Sequence, residues 1–339
     1  MRAAIESIPD GVYAASDTTD GRSLGDPLLH VRARVEIRGS DAIVDLTGTD
    51  DQVPWPINCP LASTEAAVQS VFAMLCQPGL GINDGSYRPI RIRTRLGSLV
   101  NPRYPAPVRG RMAIAHRVAT CLKRALVEAI PERLSASGND STNFITMSFR
   151  SSGGYEMFSE SVAGGTGACA TDDGEDVVAQ AIVNTANTPI ECIETDHGFV
   201  RVRHYGLACD SAGPGRHRGG LGALRIYDIL ADDVLLSTSG DRHGSQPWGI
   251  AGGSPAGRST YTVVRGGDSI PIPAISTVVL RKGDRFVVRL AGGGGYGDPR
   301  QRDRALVRAD LAAGRISRNA AVACYGLEDV VPPTTKGRS

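Results

Sequence analysis

Asp210-Ser211-Ala212-Gly213-Pro214-Gly215-Arg216-His217-Arg218-Gly219-Gly220-Leu221-Gly222 places five glycines, two arginines, a histidine and an aspartate in thirteen positions. Glycine gives up more backbone entropy on folding than any other residue. Such density signals tight backbone geometry, or close approach of another group to the main chain. Two runs share the composition: Pro247-Trp248-Gly249-Ile250-Ala251-Gly252-Gly253 and Gly292-Gly293-Gly294-Gly295-Tyr296-Gly297-Asp298-Pro299. On the glycines alone, all three read as strand-connecting loops. The stretches between and around them are short and apolar: 199–203, 224–227, 234–237, 261–264, 277–280 and 285–290. That spacing predicts a sandwich- or barrel-like β unit.

Upstream the pattern is mixed. Val31, Ala33, Val35 and Ile37 alternate with charged residues, Gly39-Ser40-Asp41 supplies a turn, and Ile43-Val44-Asp45-Leu46 returns, so 31–46 is a predicted hairpin. Residues 62–76, capped by Ser63 or Thr64, and residues 111–130, ended by Pro131, carry helical periodicity. Ile90 to Leu96 alternates as a strand, and 143–149 pairs with 155–162. Glu175 to Ala186 is a predicted helix whose exit Pro189 makes extended. Two short helices, 301–313 and 317–324, close the chain. The expected fold is α+β. A mixed α/β portion covers 1–190, a β-rich glycine-loop portion of the same domain covers 191–327, and 328–339 forms a disordered tail.

Composition narrows the function. The 339 residues carry 37 basic and 36 acidic side chains, a net charge of +1, which gives no reason to expect a nucleic-acid or membrane-surface partner. No apolar run approaches the roughly 18 residues of a spanning helix, and the polar N-terminus does not read as a signal peptide. Seven cysteines without C-x-x-C spacing read as reduced thiols of a cytoplasmic protein.

Motifs with chemical meaning are few. A phosphate-cradling G-x-x-x-x-G-K-[ST], a G-x-S-x-G elbow and H-E-x-x-H are all missing. Gly165 to Ala170 fits G-x-G-x-x-A, but Thr171-Asp172-Asp173-Gly174 follows where a helix should start, which excludes a dinucleotide turn. Glu191, Glu194, Asp196 and His197, and separately Asp241-Arg242-His243, are polar clusters without metal-ligand spacing. His116 stands among arginines on a helix and reads as solvated. Arg216, Arg218 and Arg242 suit an anionic group, since guanidinium binds carboxylate or phosphate in two-pronged fashion. They equally suit bracing a loop through Asp210, Asp241 or a carbonyl.

In chain order, Ile8-Pro9-Asp10-Gly11-Val12-Tyr13, Val44-Asp45-Leu46-Thr47-Gly48-Thr49, Asn83 to Ile90, Pro105-Ala106-Pro107-Val108, Asn187-Thr188-Pro189-Ile190-Glu191, the three glycine runs and Tyr325-Gly326-Leu327 resemble the hydantoinase B/oxoprolinase family. That family includes B subunits of ATP-dependent N-methylhydantoinases and subunits of acetone-type carboxylases. The resemblance spans about residues 4–327. Family motifs of the type N-D-P…G-G-x-H and H-x-x-D-x-G-G, which supply metal ligands, do not occur here, so the pattern begins midway.

The resemblance implies a cytoplasmic hetero-oligomer: a subunit of an ATP-dependent cyclic-amide hydrolase. It implies no cofactor or metal on this chain, with divalent metal and ATP held by partner subunits. The implied partners are a hydantoinase A-like ATP-binding subunit and a separate chain carrying the N-terminal region. A non-catalytic scaffold and a carboxylase component are the alternatives. Within this reading Arg218 and Arg242 are the candidate anion or oxyanion contacts, and Asp241 and Glu191 the candidate orienting carboxylates.

Overall fold

The computed structural model describes residues 1–76, 81, 83–151, 153–179, 182–183, 185–327. Helix α1 (Arg2–Glu6) leads into β1 (Gly11–Thr19) and then the expected hairpin of β2 (Leu29–Arg38) and β3 (Asp41–Asp45). The two-residue turn between them places Gly39 at φ +54°, where a side chain would be strained. Strand alternation buries Val31, Ala33, Val35 and Ile37 on one face of β2. Helices α2 (Leu61–Met74) and α3 (Asp84–Tyr87) precede β4 (Ile90–Arg93), and α4 (Met112–Leu126) follows it. The strands form a sheet in the order β1-β2-β3-β4, with β3–β4 parallel. Helix α4 lies across β1 and β2 with α2 beside it. Ten consecutive residues of α4, Ala113 to Leu122, are buried, so it is covered on all sides.

The second layer is a sandwich. It begins with β5 (Phe144–Ser151) and β6 (Gly154–Ser161), continues through α5 (Ile190–Asp196), and takes its other strands from later in the chain. These are β7 (Val200–Leu207), β8 (Ala223–Ile229), β9 (Val234–Ser239), β10 (Thr260–Arg265), β11 (Asp268–Ile272), β12 (Ile275–Leu280) and β13 (Arg285–Arg289). One sheet runs β11-β10-β13-β8-β7 and the other β12-β9-β5-β6, all antiparallel. Ile145, Met147, Phe158 and Leu236 of the smaller sheet meet Tyr227, Tyr261, Phe286 and Val288 of the larger in one core. Strands β5 and β6 lie before residue 190 and β9 and β12 after it, so both portions of the chain build this sandwich. Helices α6 (Arg304–Ala312) and α7 (Arg318–Ala323) close the described chain around a small core of Val307, Ile316, Ala321 and Tyr325. The α+β class is as expected.

Local expectations fail where long-range contacts take over. The described part of 175–186 is not helical. Its amides bond elsewhere: Glu175 N–H to Thr166 Oγ1 at 2.7 Å and Val177 N–H to the Leu221 carbonyl at 3.0 Å. Pro189 does not extend the exit of a helix but caps the start of α5. Helix α2 starts after Pro60, and Thr64 bonds the Val100 carbonyl at 2.8 Å instead of capping. The predicted tail, 328–339, lies outside the described residues. Among the described residues no helix is long and apolar enough to cross a membrane.

Candidate functional site

The glycine runs pack against one another and against segment 164–174. A Cβ on Gly219 would collide with the carbonyl of Gly293, one on Gly293 with that of Thr166, and one on Gly294 with that of Trp248. The backbones interlock through hydrogen bonds from Gly213 N–H to Gly293 O, Gly220 N–H to Thr166 O and Gly293 N–H to Gly220 O, each 2.8 Å. Here glycine serves main-chain stacking, the second of the two readings of its density: other backbone segments approach these glycines closely.

Arg218 stands in the same seam. Its side chain is 4% exposed, with Nη1 3.1 Å from Asp176 Oδ1 and Nε 3.4 Å from Asp310 Oδ2. Its backbone N–H donates to Asp173 Oδ1, and Arg302 Nη2 bridges Asp173 at 2.6 Å and Asp310 at 2.9 Å. The cluster ties loop 173–176 and the 216–221 run to α6, and carboxylates of the protein itself occupy the Arg218 guanidinium.

Asp241 and Arg242 come together in a second, fully buried network with residues more than a hundred positions away. Arg242 reaches both Asp17 carboxylate oxygens at 3.3 Å and donates to Ser137 Oγ at 2.9 Å. Its φ of +70° is a strained conformation for a non-glycine residue. The Asp241 carboxylate accepts from the amides of Asp20 and Arg242 and from Thr19 Oγ1, and lies 3.3 Å from Arg117 Nε. Burial and the neighbouring Asp20 carboxylate push the Asp241 carboxyl up to about 7, and burial also raises Asp20. Asp20 in turn accepts from the amides of His243 and Gly244 at 2.7 and 2.8 Å. Burial pulls the His243 imidazole down to about 4. Glu191 joins neither cluster: it is exposed in the first turn of α5. The four residues proposed from the sequence therefore fall in three places.

A cleft of about 490 Å³ meets the network at Thr120 and Asp140. One wall is a stripe of α4, with His116, Ala119, Thr120 and Lys123 at i, i+3, i+4 and i+7. The other is the irregular segment from Thr166 to Glu175, with Val71 and Met74 of α2 and Ile182 at an apolar lip. Thr120 Oγ1 donates to Asp17 Oδ2 at 2.7 Å, and Arg117 Nη2 bonds the Asp140 carbonyl, so α4 joins cleft to network. His116 is buried rather than solvated, and neither ring nitrogen has a hydrogen-bond partner. Burial, with the Arg117 and Lys123 charges beside it, holds the imidazole down to about 3, so it is neutral at physiological pH. Lys123 Nζ donates to Ser135 Oγ at 3.2 Å and the Ala136 carbonyl at 3.5 Å. The i, i+4, i+7 spacing of His116, Thr120 and Lys123 on a predicted helix was the available signal for this wall. Nothing local marks Asp17, Asp20 or Arg117.

Among the described residues no group of three or more His, Cys, Asp and Glu side chains is placed to hold a metal ion.

The family model described as Hydantoinase B/oxoprolinase matches residues 1–299. The putative B-type subunit of a D-/L-hydantoinase from Pseudomonas sp. (strain NS671) is 33% identical over 341 residues, covering 96% of this chain and 57% of that protein. The crystal structure of the ATP-dependent caprolactamase from Pseudomonas jessenii superposes with a TM-score of 0.85 at 26% identity, over 98% of this chain and 59% of that one. A nucleotide-free acetone carboxylase structure superposes with a TM-score of 0.82 at 20% identity, over 96% of this chain and 50% of that one, a likeness of fold alone. The chain thus spans about half the length of the relatives it matches.

Proposed function

We propose, from the premise that this chain belongs to the hydantoinase B/oxoprolinase family, that it is a B-type subunit of a complex that opens cyclic amides at the expense of ATP. The observation that carries this reading is similarity over nearly the whole chain to a putative hydantoinase component and to an ATP-dependent caprolactamase, both named for cyclic amides. ATP handling falls to a hydantoinase A-like partner, because this sequence has no phosphate-cradling loop. In this reading the catalytic metal is held by the N-terminal motifs of the family, which these 339 residues do not carry. Within this subunit Asp241 and Arg242 are positioning residues. They lock the 241–244 turn against the end of β1 and, through Asp17, against α4, and so hold the cleft wall in place. Hydrolysis is favoured over carboxylation because the hydantoinase and caprolactamase relatives exceed 25% identity, whereas the carboxylase likeness is one of fold.

The test is co-expression with a hydantoinase A-like subunit, with the N-terminal motifs of the family supplied alongside. The purified complex is then assayed for ATP-dependent ring opening of hydantoin, 5-oxoproline and ε-caprolactam. Turnover that depends on this chain is the expected result. A stable complex that instead consumes bicarbonate and a ketone would replace the hydrolase with a carboxylase. A stable complex with neither activity would leave a scaffold.

A further inference from the structure

The two walls of the cleft carry opposite and unanswered charge. On the α4 wall, Lys123 bonds only neutral oxygens and has no carboxylate within ion-pair distance among the described residues. Beside it on the same helical stripe, His116 buries two ring nitrogens without partners. A buried polar group left unpaired costs about 1–3 kcal/mol. On the facing wall, Asp172 and Glu175 are exposed at the rim, and neither has a cation within ion-pair distance among the described residues. Asp173 beside them is already answered by Arg302. A ligand that satisfies both walls is anionic at one end and cationic at the other, with an apolar middle against Val71, Met74 and Ile182.

We propose that the cleft binds the ring-opened product of lactam hydrolysis, an amino acid with its carboxylate on Lys123 and His116 and its ammonium between Asp172 and Glu175. The dipolar character follows from the walls. Its identification as a product rests on the proposed cyclic-amide reading. Hydrolysis adds water across the ring C–N bond: the oxygen goes to the carbonyl carbon, a hydrogen goes to nitrogen, and the acid proton passes to the amine. A ring amide with no charge thereby becomes a zwitterion. The cleft therefore discriminates product from substrate, and it retains product until the complex releases it.

Calorimetry on the full chain tests this with 6-aminohexanoate, and with hexanoate, hexylamine and ε-caprolactam as partial ligands. The expected result is saturable binding of 6-aminohexanoate, with each partial ligand weaker by about tenfold or more. Lys123→Met should bring 6-aminohexanoate down to the affinity of hexylamine and leave hexylamine unchanged. The paired Asp172→Asn, Glu175→Gln variant, altered only at exposed positions, should bring it down to the affinity of hexanoate. The inference is overturned by no saturable binding of 6-aminohexanoate, by ε-caprolactam binding as tightly, or by full affinity in a Lys123→Met protein that melts like the wild type. An assembled complex that opens lactams while the cleft stays empty would remove this inference and keep the functional reading. Binding without ring opening would leave a site for a dipolar amino acid and overturn its identification as a product.

Discussion

Removing the Arg218 guanidinium separates a brace from an anion contact. Truncating one partner of a buried ion pair costs about 3–5 kcal/mol, because the other charge is left unanswered. Here the loss is smaller. Asp310 keeps Arg302 at 2.9 Å and Arg315 at 3.4 Å, and the Asp176 side chain is 21% exposed and can be hydrated. The expected cost of Arg218→Ala is about 2–4 kcal/mol. For 339 residues, an unfolding entropy of about 2.1 cal/mol/K per residue gives about 0.7 kcal/mol/K, so the melting temperature should fall by about 3–6 °C. Activity of the reconstituted complex per folded molecule should stay within about twofold. The assays are thermal unfolding followed by fluorescence, and turnover normalised to folded protein. A melting temperature within about 1 °C of wild type together with lost turnover would refute the brace and restore Arg218 as an anion contact.

Two variants should show opposite pH dependence. His116 is held down in the folded state, so its contribution is complete above the unfolded value near 6.5 and lost as pH falls toward about 3. Asp241 is raised, so its contribution is present below the unfolded value near 3.8 and lost as pH rises through about 7. The melting temperature of His116→Gln minus that of wild type should therefore rise between pH 6.5 and 4.5. The same difference for Asp241→Asn should fall between pH 7 and 4.5. Each slope is at most about 1.4 kcal/mol, or about 2 °C, per pH unit, and parallel slopes would refute the assignment. Gly219→Ala, which drives a methyl group into the Gly293 carbonyl, should cost more than about 4 kcal/mol, whereas Gly198→Ala, facing open space, should stay within about 0.5 kcal/mol. A Gly219→Ala protein with unchanged melting temperature would show that the loops do not stack as described.

Much of the secondary structure was legible because its signal is local. Alternation in Val31 to Ile37 and in the short runs after 199 marks half-buried strands, and each of those runs coincides with a strand to within one residue. The ordered motifs carried the family in the same way. Strand β1 escaped notice because Gly11-Val12-Tyr13-Ala14-Ala15-Ser16-Asp17-Thr18-Thr19 has too few large apolar residues to show alternation, and its pairing with β2 supplies what its side chains do not. The segment after Glu175 carries a helical pattern, yet its amides bond Thr166 and Leu221. A sequence pattern reports which face a residue prefers, not which distant atoms compete for its backbone.

For the site, the sequence singled out Asp241 and Arg242 and showed the chemistry of Arg218, but left open whether an arginine among glycines meets a ligand or a carboxylate of its own chain. For Arg218 the fold brings Asp176 and Asp310 to the guanidinium, an arrangement that supports the brace. Asp17 meets Arg242 across 225 positions and Arg117 across 100, and no local periodicity encodes such pairings. His116 shows the limit most plainly. Its charged neighbours along the chain suggest a solvated face. The packing of α4 against the first sheet and α2 strips the imidazole of water, and burial then sets its charge. Residue types and their spacing were fixed by the chain itself. Dielectric surroundings and long-range partners exist only once the layers have closed, because both depend on atoms that the sequence places far apart.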